Sequence, residues 1–298
     1  MSRSDNTSPV TVVVLTFNEG RNLDACLASV AGWVARIVVV DSGSTDDTIE
    51  IARRSGAEVL TNAFESHARQ WRWALDNIQV TTPWVLALDA DQRVSDELRN
   101  SLAQAVAETG ETPNGFFVNR RQIFRGRWIR YGGYYPKYLL KLFRSGRATV
   151  DERDLVDHHF RVDGPVDRLE GDLIEDNQNE ARIADWIAKH NRYARLQAQE
   201  ELARLGSDAR GRPFGHSDER VLWFKSIWRR LPLYVRPFLY FTYRYGVRLG
   251  FLDGKEGLIF HFMQALWYRL LVDINRDECR VRAQATTGHK SLPLHERH

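Results

Sequence analysis

Two aspartates two residues apart, Asp89 and Asp91, close the apolar run WVLALDAD from Trp84 to Asp91. On an extended strand that spacing turns both carboxylates to one face. Mg²⁺ and Mn²⁺ take one or two carboxylates together with phosphate oxygens and water, and such a cation neutralises charge building on a leaving diphosphate. A bare pair of this kind is a weak signal, and its weight comes from position. A second apolar run, RIVVV, ends in Asp41. An acid there costs desolvation unless it is bonded, so a ligand contact is the favoured explanation. The stretch from Asp41 through Ser42, Gly43 and Ser44 to Asp47 otherwise reads as a turn and a helix cap, the role expected of Asp46. Thr16, Asn18 and Glu19 follow a third run, VTVVVL.

Positioning these groups requires elements that deliver all three loops to one edge. VTVVVL (Val10 to Leu15) and RIVVV (Arg36 to Val40) are β-branched and unbroken, as strands buried on both faces of a parallel sheet are. Between them Leu23, Leu27 and Val30 mark one face of a helix, which completes a βαβ unit. Helices follow at about Thr48 to Ser55, Ser66 to Ile78 and Glu97 to Ala107, the last capped by Asp96, with strands at Ala57 to Leu60, Trp84 to Asp91, Gly115 to Asn119 and Tyr138 to Phe143. Ala181 to Leu205 repeats at helical spacing. The pattern predicts a doubly wound, mostly parallel α/β domain over residues 8–205, and in such sheets ligands bind beyond the carboxyl ends of the strands. Residues 206–298 then form a linker and a helical extension, dense in aromatic and basic residues.

In order and spacing, VVVLTFNEGRNL, IVVVDSGSTDDT and WVLALDADQRV together resemble family 2 glycosyltransferases of the GT-A nucleotide-sugar fold. The core motifs cover about the first third of the chain. Looser similarity to lipopolysaccharide-core and exopolysaccharide transferases continues to about residue 205. The resemblance implies nucleotide-sugar binding by Thr16, Asn18, Glu19, Asp41 and Ser42, and metal–diphosphate binding by Asp89 and Asp91 with Mg²⁺ or Mn²⁺. HARQWRWAL is similar to a stretch of the family in which Gln70 matches, while Arg72 stands where Asn is common. Arg72 reads either as a diphosphate contact or as an exposed helix arginine. Gln92 replaces a frequent Glu.

An inverting transfer needs a base for the acceptor hydroxyl and positive charge at the leaving diphosphate. Val156-Asp157-His158 lies where relatives read Val-His-Glu, so Asp157 is the favoured base and His158 a ligand, orienting group or alternative base. Glu175 stands where many relatives place a metal-approaching His. Asp176 reads as a turn cap. Tyr134 and Tyr135 serve either to shape an acceptor pocket or to cover the sheet. Arg120, Arg121, Arg125 and Arg127 are not assigned individually.

The 298 residues carry 42 basic and 39 acidic side chains, a net charge of +3, which excludes a whole-molecule footprint for nucleic acid. Cys26 and Cys279 suggest neither a metal site nor a disulfide framework. Met1 to Pro9 lacks a secretory apolar stretch, so a cytoplasmic setting is expected. No window reaches the roughly 18 apolar residues of a spanning helix. From Val221 to Ile274, aromatics and leucines alternate with arginines, as in helices that lie in the membrane interface; packing on the catalytic domain or a homodimer surface is the alternative. The expectation is a peripheral transferase on the cytoplasmic face of the membrane, moving a sugar from a nucleotide-diphosphate sugar, UDP favoured, to a lipid-linked or lipopolysaccharide-core saccharide. A nucleotidyltransferase and an inactive membrane scaffold of the same fold are the rivals.

Overall fold

The computed structural model describes residues 7–152, 154–156, 158–203, 228 and 231–288. Strands β1 (Ser8–Thr16), β2 (Val34–Asp41), β3 (Glu58–Thr61) and β4 (Trp84–Asp89) alternate with helices α1 (Gly20–Val30), α2 (Thr48–Arg54) and α3 (His67–Asn77). Then come β5 (Gln92–Val94), α4 (Asp96–Glu108), β6 (Gly115–Phe124), β7 (Arg127–Trp128), β8 (Tyr138–Arg144), β9 (Ala148–Val150), β10 (Phe160–Val162), β11 (Val166–Glu175) and α5 (Ile183–Ala203). The main sheet runs β3-β2-β1-β4-β8-β6-β11-β5, with β7 on β6, and β9 pairs separately with β10.

The unbroken apolar runs are strands covered on both faces. Val12, Val14, Leu86 and Leu88 meet Leu23 and Leu27 of α1 and Leu98 and Leu102 of α4, while Val13, Leu15, Val38 and Val40 meet Trp71 and Ala74 of α3. Every side chain of such a strand must be apolar. The parallel register sets Thr16 opposite Asp41 and Leu15 opposite Asp89. Three chain segments therefore end at one edge, and their loops are neighbours.

Unbroken parallel pairing runs from β3 to β4. Beyond β4 the sheet is mixed: β8 is antiparallel to both β4 and β6, β6 is parallel to β11, and β11 is antiparallel to β5. The expectation of a mostly parallel sheet thus describes the first half of an α/β fold whose second half is mixed. A second difference bears on the site. β4 stops at Asp89, and Ala90 and Asp91 form a turn into β5, so the two carboxylates do not share one extended face. Ser95, not Asp96, caps α4, its Oγ accepting the Leu98 N–H at 3.2 Å.

β11 carries a break in register between Arg168 and Asp172. Gly171 sits there with φ +86°, and a Cβ on it would lie 2.3 Å from the Leu98 backbone nitrogen. Both the backbone conformation and the contact exclude a side chain. Gly171→Ala is expected to destabilise the fold by at least about 2 kcal/mol, read as a lower denaturation midpoint; an unchanged midpoint would show that α4 can retreat from β11.

The C-terminal part forms α6 (Arg236–Phe241) with a π-helical turn at Thr242–Val247, a 3₁₀ turn at Gly250–Asp253, α7 (Gly254–His261), a second π turn at Phe262–Trp267, and α8 (Tyr268–Gly288). Pro237 begins α6 rather than breaking a helix, because a first-turn N–H has no partner to lose. The expected linker at 206–218 lies outside the described residues. Phe260 and Met263 pack with Phe124, Ile129, Tyr134 and Trp186, and Tyr268 and Val272 with Ala194 and Ala198 of α5. One face of the extension therefore rests on the catalytic half. No helix among the described residues is long and apolar enough to cross a membrane.

Candidate active site

The loop after β1 and the loop after β2 are built into each other. Asn18 adopts φ +55°, a left-handed conformation that Asn tolerates. Its N–H donates to Ser44 Oγ at 2.8 Å and its Oδ1 accepts the Thr45 N–H at 2.8 Å. Asp41 is fully buried. Its carboxylate accepts from Thr16 Oγ1 at 3.0 Å, Gly43 N at 2.9 Å, Ser44 N at 2.8 Å and Ser44 Oγ at 2.5 Å. Its own loop thus meets the desolvation cost that a ligand was expected to meet, and Asp41 fixes the shape of the pocket's backbone. Ser42 Oγ accepts from buried Gln70 at 3.0 Å, which joins α3 to this loop at a cleft lined by Asn62, Arg69, Gln70 and Trp73. Asp46 caps as expected, accepting the N–H of Thr48 at 3.1 Å and of Gly20 at 3.0 Å. Arg72 pairs with Asp76 at 2.7 Å on the exposed side of α3.

Asp89 and Asp91 face different partners. Lys141 on β8, buried, bonds Asp89 at 2.9 Å. Burial alone would raise the proton affinity of Asp89, but Lys141, with His158 and His67 beyond it, holds the carboxyl well below the usual range. Asp91 is pushed the other way, well above its ordinary value, by burial and by the carboxylates of Glu175, Asp89 and Glu19, with Lys189 opposing. Burial also raises Glu19, against the Asn22 hydrogen bond and Lys189. An acid that its surroundings disfavour in ionised form is one that a bound cation would stabilise. The donor set at this edge therefore fits a hard divalent ion held by Asp89 and Asp91.

A chain of amides links the two carboxylate regions. Asn177 Nδ2 donates to Asp91 Oδ2 at 2.9 Å, and Asn22 Nδ2 donates both to Asn177 Oδ1 at 3.2 Å and to Glu19 Oε2 at 2.6 Å. Asn179 adds a bond to Glu19 Oε2 at 3.0 Å. Asn177, rather than Asp176, caps the turn before α5; Asp176 pairs with Arg93 at 3.0 Å. Glu175 does reach this edge, opposite Gln92, but its carboxylate accepts from Arg120 at 3.1 Å and from Gln92 at 3.0 Å. Among the described residues no three carboxylate, imidazole or thiol groups form a set able to hold a metal. Glu175 thus stands beside the Asp89–Asp91 pair, held by Arg120 and close enough for its charge to raise the proton affinity of Asp91.

Asp157 lies outside the described residues. His158 packs against Trp71 at 5.6 Å, Phe160 at 5.2 Å and His67 at 6.3 Å, the two imidazoles stacked. Tyr134 is buried beneath Phe260 at 4.7 Å and covers the fold, whereas Tyr135 donates its hydroxyl to Asp172 at 3.1 Å. Arg121 pairs with the same Asp172, its Nε at 2.9 Å.

Lys141, Asn177, Lys189 and His67 escaped the sequence reading. For Lys141 a signal existed: a lysine inside the apolar strand YLLKLFR has to find a buried carboxylate. Asn177 depends on its meeting with Asp91, 86 residues earlier in the chain, and no local pattern encodes it.

A family model described as Glycosyl transferase family 2 matches residues 11–160. A lipopolysaccharide core biosynthesis glycosyltransferase of Rhizobium meliloti (strain 1021) is 27% identical over 271 residues, covering 86% of this chain and 90% of its own. An uncharacterized glycosyltransferase of Rickettsia typhi (strain Wilmington) is 31% identical over 266 residues, 86% of this chain and 84% of the relative. The glucosyl-3-phosphoglycerate synthase of Mycobacterium tuberculosis, solved with Mn²⁺ and uridine diphosphate, aligns at 25% identity and a TM-score of 0.31 over 39% of this chain and 44% of the synthase. With the model reaching across half of the residues and over the three core motifs, the chain belongs to glycosyl transferase family 2.

Proposed function

We propose that this chain transfers a hexose from a nucleotide-diphosphate sugar, UDP favoured, with inversion, to a lipid-linked or lipopolysaccharide-core saccharide on the cytoplasmic face of the membrane. The observation that carries the reading is the half-buried Asp91, disfavoured as an anion and two residues from Asp89 at the edge where the β1 and β2 loops interlock. Kinship along 86% of the chain with a lipopolysaccharide core transferase supports the acceptor class.

The loop Thr16 to Glu19, with Ser42 and Gly43 held by Asp41, frames the nucleotide. Asp89 and Asp91 would hold Mg²⁺ or Mn²⁺, which when bound supplies positive charge to the departing diphosphate. Lys141 keeps Asp89 ionised, and Asn177 fixes the orientation of Asp91. The acceptor hydroxyl loses its proton to the Asp157–His158 segment. Trp71 and Phe160 hold the His158 ring.

Calorimetric titration of the full chain with UDP, GDP and dTDP, with and without Mn²⁺, tests this. One nucleotide should bind only with metal, and tighter by about tenfold or more than the others. No binding to any of the three would favour an inactive scaffold of the same fold.

A further inference from the structure

The C-terminal helices bury one face and leave the other open. Eleven of the eighteen exposed large hydrophobic side chains among the described residues fall between Tyr234 and Phe262, so the open face is a concentrated patch and not a scatter. Phe238 on α6, Val247 on the π turn, Phe251 and Leu252 on the 3₁₀ turn and Leu258 on α7 represent it. The charges of this span sort by sign. Arg248 and Lys255 are exposed. Asp253 is buried, accepting the backbone N–H of Arg130 at 3.1 Å and of Tyr131 at 2.9 Å, and Glu256 is only partly exposed.

An apolar surface whose fully exposed ionised groups are all cations matches one kind of partner closely. Acyl chains take the aromatic and aliphatic side chains, and anionic headgroups take the cations. A symmetric contact with a second copy would bring the cations of both chains into one desolvated interface without exposed acids to pair them. We propose that the Tyr234–Phe262 hairpin seats this protein in the interface of an anionic lipid bilayer.

The seat is tied to the site. Gly132 N–H donates to the Arg248 carbonyl at 2.9 Å, and Arg244 donates to the Gly133 carbonyl at 3.2 Å while lying 4.2 Å over the Tyr134 ring. His261 packs so closely under Gly132 that a Cβ there would fall 1.9 Å from its Cε1. The same loop continues to Tyr135 and its bond to Asp172 on β11. A bilayer held by the hairpin thus borders the wall of the catalytic edge, and an acceptor headgroup can reach the edge from the lipid surface. Binding to lipid does not depend on the transferase reading; the delivery of an acceptor does.

Co-sedimentation of the full chain with vesicles of phosphatidylcholine alone, or with about a third phosphatidylglycerol, tests the seat. Pelleting is expected with the anionic vesicles only. Phe251→Ser/Leu252→Ser should weaken it by about tenfold or more, and Arg248→Glu/Lys255→Glu by a similar factor that vanishes at high salt. Metal-dependent nucleotide binding should be unchanged in both variants, which shows that they fold. Failure of the wild type to pellet, equal pelleting by the variants, or a dimer by light scattering that these substitutions dissociate would each overturn the proposal. Vesicle binding without any nucleotide binding would instead sink the transferase reading and leave the seat standing.

Discussion

Asp91→Asn is expected to lower sugar transfer by about three orders of magnitude while raising the thermal stability of the metal-free protein. The two effects share one cause. Burial and three neighbouring carboxylates hold the proton affinity of Asp91 well above its ordinary 3.8, so the folded chain binds more protons than the unfolded chain. For a raised acid the sign is unfavourable: folding stability falls as pH rises above 3.8 and on through the higher folded value, and the cost is fully present only above that folded value. An amide of the same shape removes the charge and keeps an oxygen for the Asn177 amide, now 2.9 Å away. Each kcal/mol recovered raises Tm by about 2 °C or more in a protein of this size. Under the proposed function, the same substitution takes away a ligand of the cation that would stabilise charge on the leaving diphosphate. Melting in EDTA and in Mn²⁺ with nucleotide separates the two. A variant that melts lower in EDTA, or that keeps its transfer rate, would rule out a cation at Asp91.

The legibility of this site in the sequence follows from the range of the interactions that build it. β1, β2 and β4 announce themselves because both faces are buried and every position must be apolar, and the register that unites Thr16, Asp41 and Asp89 follows from parallel pairing. Capping by Asp46 was equally readable, since a cap is settled within a few residues. The second half was harder. β11 begins with Val166-Asp167-Arg168, largely exposed, and of its residues Leu173 is buried in the core with Leu169 only partly buried against it, so no alternation marks it as a strand. The turn at Ala90 and Asp91 was hidden by the continuity of WVLALDAD. Asp41 shows a subtler limit. The physical argument that a buried acid needs partners was sound, but it could not say whether those partners belong to a ligand or to the loop, and here Thr16, Gly43 and Ser44 supply them. Arg72 shows the converse, a residue suited to phosphate that finds Asp76 one helical turn away.

The largest stability effect is expected at the junction between α5 and the C-terminal helices. Arg236 and Asp273 are both fully buried and paired through Nε and Nη2 of the arginine, and the same Nη2 also reaches Glu201 at 3.0 Å. Glu201 also takes Arg276 at 3.0 Å and Arg269 at 3.8 Å. Two opposite charges in this setting gain little over apolar groups of the same size, but one charge left alone is costly. Arg236→Met should therefore cost about 3–5 kcal/mol, because among the described residues Asp273 stays buried with the Tyr234 N–H, at 2.9 Å, as its remaining hydrogen-bond donor. Arg236→Met/Asp273→Leu should recover most of that loss, since Glu201 keeps two arginines and the pocket becomes apolar. Chemical denaturation of wild type, both singles and the double closes the cycle, and the coupling should be at least about 2 kcal/mol. A double variant no more stable than Arg236→Met would mean that the arginine acts through its packing, its guanidinium lying 5.0 Å over the Trp228 ring, and not through the buried charge. The distinction reaches function, because α6 and α8 carry the hairpin proposed to face the lipid and hold it against the loop beside the catalytic edge. If the pair sets only stability, the double variant should pellet with anionic vesicles as the wild type does; if it also sets the angle of α6, the variant should fold and bind nucleotide yet lose the vesicles.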